Sequence, residues 1–382
     1  MPEVKSAKDL REHMPQTAFA FRGYNVTNLG RTRELLEHPV YGGVVQRHLR
    51  LGSQVCADLV HRTVDLEVRI REGRDTDLDS YDEAIALIMA VEIAQLKLLE
   101  EFFNIQYSRA RMAIGFSLGE IAALVAGGVF ALEDAMRIPI QLAADSAALA
   151  HDVTLGVLFS RGKQLSVERV HRLCMEINLE GRGVVGVSAI LSPNSVLLMG
   201  QQDTLARLTP HIKSLGDGRT YLRPNEHRWP PLHSPVIWQR QISDRARHLL
   251  HTIPGGFRAP VPPVLSLVTG QLSYTETNTR ELLGYWVDHP QRLWSAVEQT
   301  LALGIETLIH VGPEPNIVPA TFRRLALDVE AQIKTSIGVR ALSGIVRRPW
   351  LQSLLPRQAA LLRATSLQQI TLEDWLLEQH VR

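Results

Sequence analysis

The sequence predicts an α/β fold: a doubly wound, mostly parallel sheet with a ferredoxin-like subdomain inserted into it. Three observations carry that expectation. Short apolar runs alternate with stretches of helical periodicity along most of the chain, the pattern of a parallel sheet with crossover helices. After His151 the texture changes to strand, helix, strand, tight turn, strand, helix, which is the order of a small split unit. The chain has 382 residues, 45% of them hydrophobic, enough to bury a full core and carry an insert.

The elements follow in order. Thr17–Phe21 (TAFAF) is a buried strand that ends in the turn Arg22-Gly23-Tyr24-Asn25. Residues 32–71 are mostly helical, with breaks at Pro39 and at Gly42-Gly43. Residues 75–82 form an acidic loop. Residues 83–103 hold apolar residues at helical spacing without Gly or Pro, which predicts a long helix. Residues 112–114 are a buried strand, 121–126 a helix stopped by Gly127-Gly128, and 132–150 a further helical stretch that Pro139 must kink or restart. In the insert, 155–159, 184–190 and 195–199 read as strands, and 166–178 and 203–215 as helices. The chain returns at Pro230-Pro231-Leu232-His233-Ser234-Pro235, followed by a helix to about His251, a strand at 264–268, a helix at 293–303 and a strand at 307–311. The expected domains are an N-terminal extension (1–16), the core (17–152 and 225–334), the ferredoxin-like subdomain (153–224) and a C-terminal helical extension (335–382).

Composition removes several function classes. The formal net charge is +1, so the electrostatic footprint of a nucleic-acid binder is missing. Two cysteines, Cys56 and Cys174, support neither a disulfide framework nor a cysteine-rich metal site. No histidine pair at ligand spacing has a third ligand nearby, apart from the helix-surface candidates His248 and His251, so no metal is expected. Residues 1–16 are charged throughout and lack a secretory core. The longest apolar stretch, 121–132, is broken by two glycines and falls short of the ~20 residues a bilayer needs. The expectation is a cytoplasmic protein without a membrane or nucleic-acid partner.

One motif carries chemistry. Gly115-x-Ser117-x-Gly119 lies between a predicted strand and a predicted helix, the context of a nucleophile elbow and of a hydrolase-like core. A sharp turn there lifts the serine oxygen above the sheet. The helix N-terminus adds positive partial charge, and the N–H of Leu118 is placed to stabilise an oxyanion. A serine nucleophile needs a base. Of 14 histidines, His233 is the best placed, in a Pro-rich turn where the chain re-enters the main sheet. His227 is the nearest rival, with His151 and His310 further behind, and periodicity does not choose among them.

Gly115–Asp134 (GFSLGEIAALVAGGVFALED) resembles the active-serine segment of the malonyl-CoA:acyl-carrier-protein transacylase family, which includes polyketide-synthase acyltransferase domains and reads approximately GHSLGEYAALVAAGALSLED. Four further segments keep the family's order. Ala20–Tyr24 falls at its FPGQG loop, Ser192-Pro193 and the strand 196–200 at its NSP segment, Leu232–Pro235 at its FHSP segment, and Gly304–Pro313 (GIETLIHVGP) at GVTTFVEVGP. The resemblance covers about residues 17–325. It implies Ser117 as nucleophile, His233 as general base, and the backbone N–H groups of Leu118 and Tyr24 as oxyanion donors. It also implies a main-chain carbonyl near Trp286, rather than an acid, that orients the histidine. The implied reaction is ping-pong transfer of an acyl group from a coenzyme A or carrier thioester to the phosphopantetheine thiol of an acyl carrier protein, with no bound cofactor. Synthase subunits are further possible partners. The same site with water as acceptor gives a proofreading acyl hydrolase, and a site without turnover gives a carrier-binding subunit.

Departures from the family concern the pocket. The family has an arginine 25 residues after its serine, as the partner of the malonyl carboxylate; here that position is Leu142, which argues against malonyl as the natural group. The family's loop glutamine is Tyr24, its loop proline Arg22, its histidine before the serine Phe116, and the glycine after its Val-Gly-Pro motif Glu314. Arg22 is a candidate carboxylate partner from the opposite wall, against the plainer reading of a solvated or surface-paired arginine. Phe116 and Leu142 are expected to make the pocket apolar. In the tail, Arg340, Arg347, Arg348, Arg357 and Arg363 are interspersed with Leu351, Leu354, Leu355, Leu361 and Leu362. A helical segment packed on its own core is favoured there over a basic docking face, with a last helix anchored by Trp375.

Overall fold

The computed structural model of the chain describes residues 6–215, 219–336, 349–354 and 358–380. Its main sheet has five strands: β1 (Thr17–Phe21), β2 (Met112–Gly115), β7 (Val264–Leu265), β8 (Thr307–Val311) and β9 (Gln368–Thr371). They run parallel in the order β7-β2-β1-β8-β9. The central strand β1 is buried along its whole length, and its side chains alternate between the two faces. Phe19 and Phe21 enter the larger core, under the helices Gly42–Val60, Tyr81–Phe103 and Leu132–Gln141. Ala18 and Ala20 enter the second core, under Leu293–Ala302 and Ile317–Ser336. Helices on both faces make this the expected doubly wound α/β architecture.

Between the strands of the core lies a second sheet: β3 (Val153–Ser160), β4 (Val185–Ser192), β5 (Ser195–Gln201) and β6 (Thr220–Pro224). It is antiparallel in the order β4-β5-β3-β6. With the helix Val167–Asn178 after β3 and the helical residues 204–215 after β5, the connectivity is β-α-β-β-α-β. Strand β6 carried no clear sequence signal: only Thr220 of its five residues is buried.

Other differences have local causes. Gly42-Gly43 does not break a helix but begins one, because His38 and Pro39 already end the preceding turn. The long helix starts at Tyr81 rather than Glu83. The helix containing Pro139 runs to Gln141 and restarts at Ala143. The tail is not purely helical. Gln368–Thr371 forms β9 on the edge of the main sheet, and Leu372–Glu378 is the helix, with Trp375 set edge-on to Phe103 at 5.1 Å. Arg363 donates to the carbonyl of Leu301 at 2.9 Å and so closes a helix C-terminus rather than presenting a docking face. Arg340, Arg347, Arg348, Leu355 and Arg357 lie outside the described residues. Among the described residues no helix is long and apolar enough to cross a membrane.

Candidate active site

The turn between β2 and the helix Leu118–Ala126 places Ser117 at φ 54°, ψ −121°, a strained backbone for a non-glycine residue. Two glycines make room for it. A Cβ on Gly115 would overlap the backbone of Gly119, so the strand could not enter the helix. A Cβ on Gly23 would lie 2.6 Å from the carbonyl oxygen of Phe116, so only glycine lets the loop after β1 pass so close to the elbow.

The Ser117 hydroxyl donates to His233 Nε2 at 2.8 Å, and His233 Nδ1–H donates to the carbonyl of Trp286 at 2.6 Å. These two bonds define one tautomer, with the proton on Nδ1 and the lone pair of Nε2 facing the serine. His233 is held from three sides. Its own backbone sits at φ 63°, its N–H donates to Val287 at 2.8 Å, and its ring meets Trp286 edge-on at 5.0 Å. Burial pushes its pKa down to about 4, so the imidazole is neutral at neutral pH. The Trp286 indole N–H donates to the carbonyl of Ser117 at 3.0 Å, closing the ring of contacts.

The other histidines stand apart from this pair. His227 is exposed on the cavity lining, His151 is exposed beyond the helix Ala143–Ala150, and His310 is buried in β8 against Gln369. The N–H of Leu118 is one of the first in its helix, where no intrahelical acceptor exists. Tyr24 follows Gly23 on the loop over the elbow; its ring packs edge-on to Tyr81 at 4.8 Å and to Trp229 at 5.8 Å.

Ser117, His233, Phe116 and Tyr24 line one cavity of about 490 Å³ between the main sheet and the small sheet. Leu142 and Arg22 do not line it. Leu142 is 3% exposed and belongs to the larger core, at the break between two helices. Arg22 is 4% exposed. Its guanidinium donates to the carbonyls of Gly23, Pro313 and Thr27 and to the side chain of Asn28. Burial lowers its pKa to about 10. It is neither a solvated arginine nor a pocket cation but a strut inside the loop.

Three residues went unnoticed in the sequence. Gln291 is fully buried and accepts the N–H of Ser117 at 3.2 Å, while its backbone bonds Ser188 and Ile190 of β4. Nothing in its sequence context announces this. Glu120, inside the GFSLGE segment, accepts from Tyr274 at 2.6 Å and from the N–H of Leu267, tying the elbow helix to the end of β7; burial raises its pKa to about 7. Glu373 accepts the N–H groups of Arg31 and Glu314, each at 2.9 Å. Glu314 stands at φ 50°, which accounts for glycine in the resembling family. No group of His, Cys, Asp or Glu among the described residues is arranged to hold a metal.

No protein-family model matches the chain. In sequence it is 25% identical over 310 residues to the polyketide synthase GfsA of Streptomyces halstedii, covering 78% of this chain and 4% of that protein. It is 23% identical over 269 residues to the malonyl CoA-acyl carrier protein transacylase of Bacillus subtilis, covering 70% of this chain and 64% of that one. The chain thus spans a small fraction of the polyketide synthase and just under two thirds of the transacylase. In structure it matches an acyl carrier protein S-malonyltransferase of Vibrio cholerae with a TM-score of 0.65 at 19% identity, over 93% of this chain and 96% of that one. In fold and in its ordered motifs the chain is similar to the malonyl-CoA:acyl-carrier-protein transacylases and polyketide-synthase acyltransferase domains.

Proposed function

We propose that the protein is a serine acyltransferase that moves an acyl group from a coenzyme A or carrier thioester to an acyl carrier protein. The observation that carries this reading is the pair Ser117 Oγ–His233 Nε2 at 2.8 Å, with His233 Nδ1 held by the Trp286 carbonyl. In the forward step the Ser117 proton passes to Nε2 as Oγ attacks the thioester carbon. The oxyanion develops towards the N–H groups of Leu118 and Tyr24. The C–S bond then breaks, and the departing thiolate takes the proton from Nε2. A pantetheine thiol enters by the reverse sequence and leaves as the new thioester.

The orienting group is a neutral carbonyl, so the imidazolium forms without a buried counter-charge in direct contact and need persist only between the two proton transfers. The relatives' names supply the carrier protein as acceptor, and two buried free thiols, Cys56 and Cys174, suit the reducing cytoplasm where acyl-CoA is found.

The test is intact mass after incubation with acyl-CoA donors, with Ser117→Ala as control. An adduct on the wild type alone, discharged by added holo carrier protein faster than by buffer, supports transfer. Discharge at equal rates identifies water as acceptor and a hydrolase. An adduct that persists in Ser117→Ala removes the nucleophile assignment.

A further inference from the structure

The small sheet shows one face to its own helices and the other to the cavity, by strand alternation. Leu158 of β3 and Val196 and Leu198 of β5 pack under the helices. Leu155 and Val157 of β3 and Leu197 and Met199 of β5 line the cavity instead. Leu155 stands opposite Met199 and Val157 opposite Leu197, so the floor is two apolar cross-strand pairs. Phe116, Leu232 and Ile317 come from the core side. No Arg, Lys, Asp or Glu is among the described residues that line the cavity. The arginine of the neighbouring loop, Arg22, has its guanidinium occupied by backbone carbonyls and Asn28.

We propose that the group carried on Ser117 is an uncharged, apolar acyl chain of medium length, and that carboxyacyl groups such as malonyl are poor substrates. The proposal rests on the acyl-enzyme reading above. A carboxylate in this cavity would lose water and meet no arginine or lysine; the basic side chains of the lining are two imidazoles, His233 of the pair and the exposed His227. The pantetheine arm of the donor carries amides, which Asn25, Asn225 and Asn316 of the lining are equipped to bond. The β3–β5 floor offers no such partner, so hydrocarbon is what fits it. A groove of about 250 Å³ shares Val157, Leu191, Ile317 and Ala320 with the cavity and runs on to Trp294 and Trp350, with Arg324 and Asp328 also on its wall, leaving room as a chain lengthens.

The experiment is the rate of Ser117 acylation, read by intact mass on the full chain at sub-saturating malonyl-, acetyl-, butyryl-, hexanoyl- and octanoyl-CoA. The expected result is a rise approaching fourfold per added methylene from butyryl to octanoyl, the ratio equivalent to about 0.8 kcal/mol per buried CH₂. Octanoyl should exceed malonyl by at least tenfold. Val157→Phe, which fills the floor, should lower the octanoyl rate at least fivefold relative to the butyryl rate. Loading of Ser117 that favours malonyl, or that is flat along the series, overturns the apolar-chain assignment while leaving Ser117 as nucleophile. Absence of an adduct from every donor overturns the acyl-enzyme reading, and this proposal with it.

Discussion

At Ser117 and His233 the side chains are ordinary and the backbones are not: both residues have positive φ. Each is held there by neighbours, Ser117 through Gln291 and Trp286, His233 through Val287 and Trp286. Removing the proposed base with His233→Ala should lower kcat by about 10²–10⁴-fold, measured as single-turnover acylation. Because burial holds the His233 pKa near 4, the base stays unprotonated well into mild acid. The acidic limb of kcat/KM should therefore fall near pH 4 rather than 6.5, and a limb near 6.5 would show an imidazole more solvated than this. Gln291→Leu keeps the volume and removes the acceptor of the Ser117 N–H, leaving a part-buried donor unpaired. It should lower kcat with little change in KM and cost about 1–3 kcal/mol of stability. Of these residues the serine was legible, because a strand, an elbow and a helix all leave local marks. The histidine was narrowed by its turn and placed only by resemblance. Gln291 was invisible, because its partners are 174 residues away in one case and in another sheet in the other.

At the scale of elements, the loop after β1 is shaped by what surrounds it rather than by its own propensity. Gly23 brings it down onto the elbow, and Arg22 fastens it to the carbonyl of Pro313. Gly23→Ala should push the Tyr24 N–H away from the reacting carbon. We expect a loss of kcat of roughly tenfold or more, as for a weakened oxyanion donor, with the parent's circular dichroism spectrum and a Tm lowered by the contact with the Phe116 carbonyl. Equal kcat would show that Tyr24 takes no part. An arginine in a loop suggested a solvated or surface-paired side chain, with charge recognition as the alternative, yet burial among carbonyls makes it a strut; the sequence holds the residue type, not the depth. Strand β9 was missed for a related reason. Its sequence, Gln-Gln-Ile-Thr, has one buried residue out of four, so an edge strand looks like a loop until its partner is known. The helices Tyr81–Phe103, Val167–Asn178 and Leu293–Ala302 and the central strands β1, β2 and β8 were legible nearly to their ends, whereas the helices Thr279–Trp286 and Ile317–Ser336 went unread.

For the whole molecule, the cavity lies where two sheets of different construction meet, and its electrostatics reach into stability. Glu120 and Glu373 have pKa values raised from 4.5 to about 7 by burial. In the interval between those values the folded state binds more protons than the unfolded one. Their contribution is therefore complete below pH 4.5 and is lost as pH rises through 7. His233 and His310, lowered from 6.5 to about 4, act in the opposite sense below pH 6.5. Wild-type Tm should thus decline between pH 6.5 and 8, and Glu120→Gln should flatten that decline; an unchanged slope in the variant would exclude Glu120 as its source. Two-layer organisation and the inserted unit were readable from the order of elements, whereas the closure of the site by distant carboxylates was not. That closure has a consequence in time. Glu373 grips Arg31 across 342 positions of sequence, and the same carboxylate holds Glu314, next to the Pro313 that Arg22 needs. As the chain emerges from a ribosome, the loop bearing Tyr24 is made early and secured only after residue 373 has followed. A nascent chain therefore carries Ser117 and His233 long before it carries the carboxylate that fastens the segments around the loop over them.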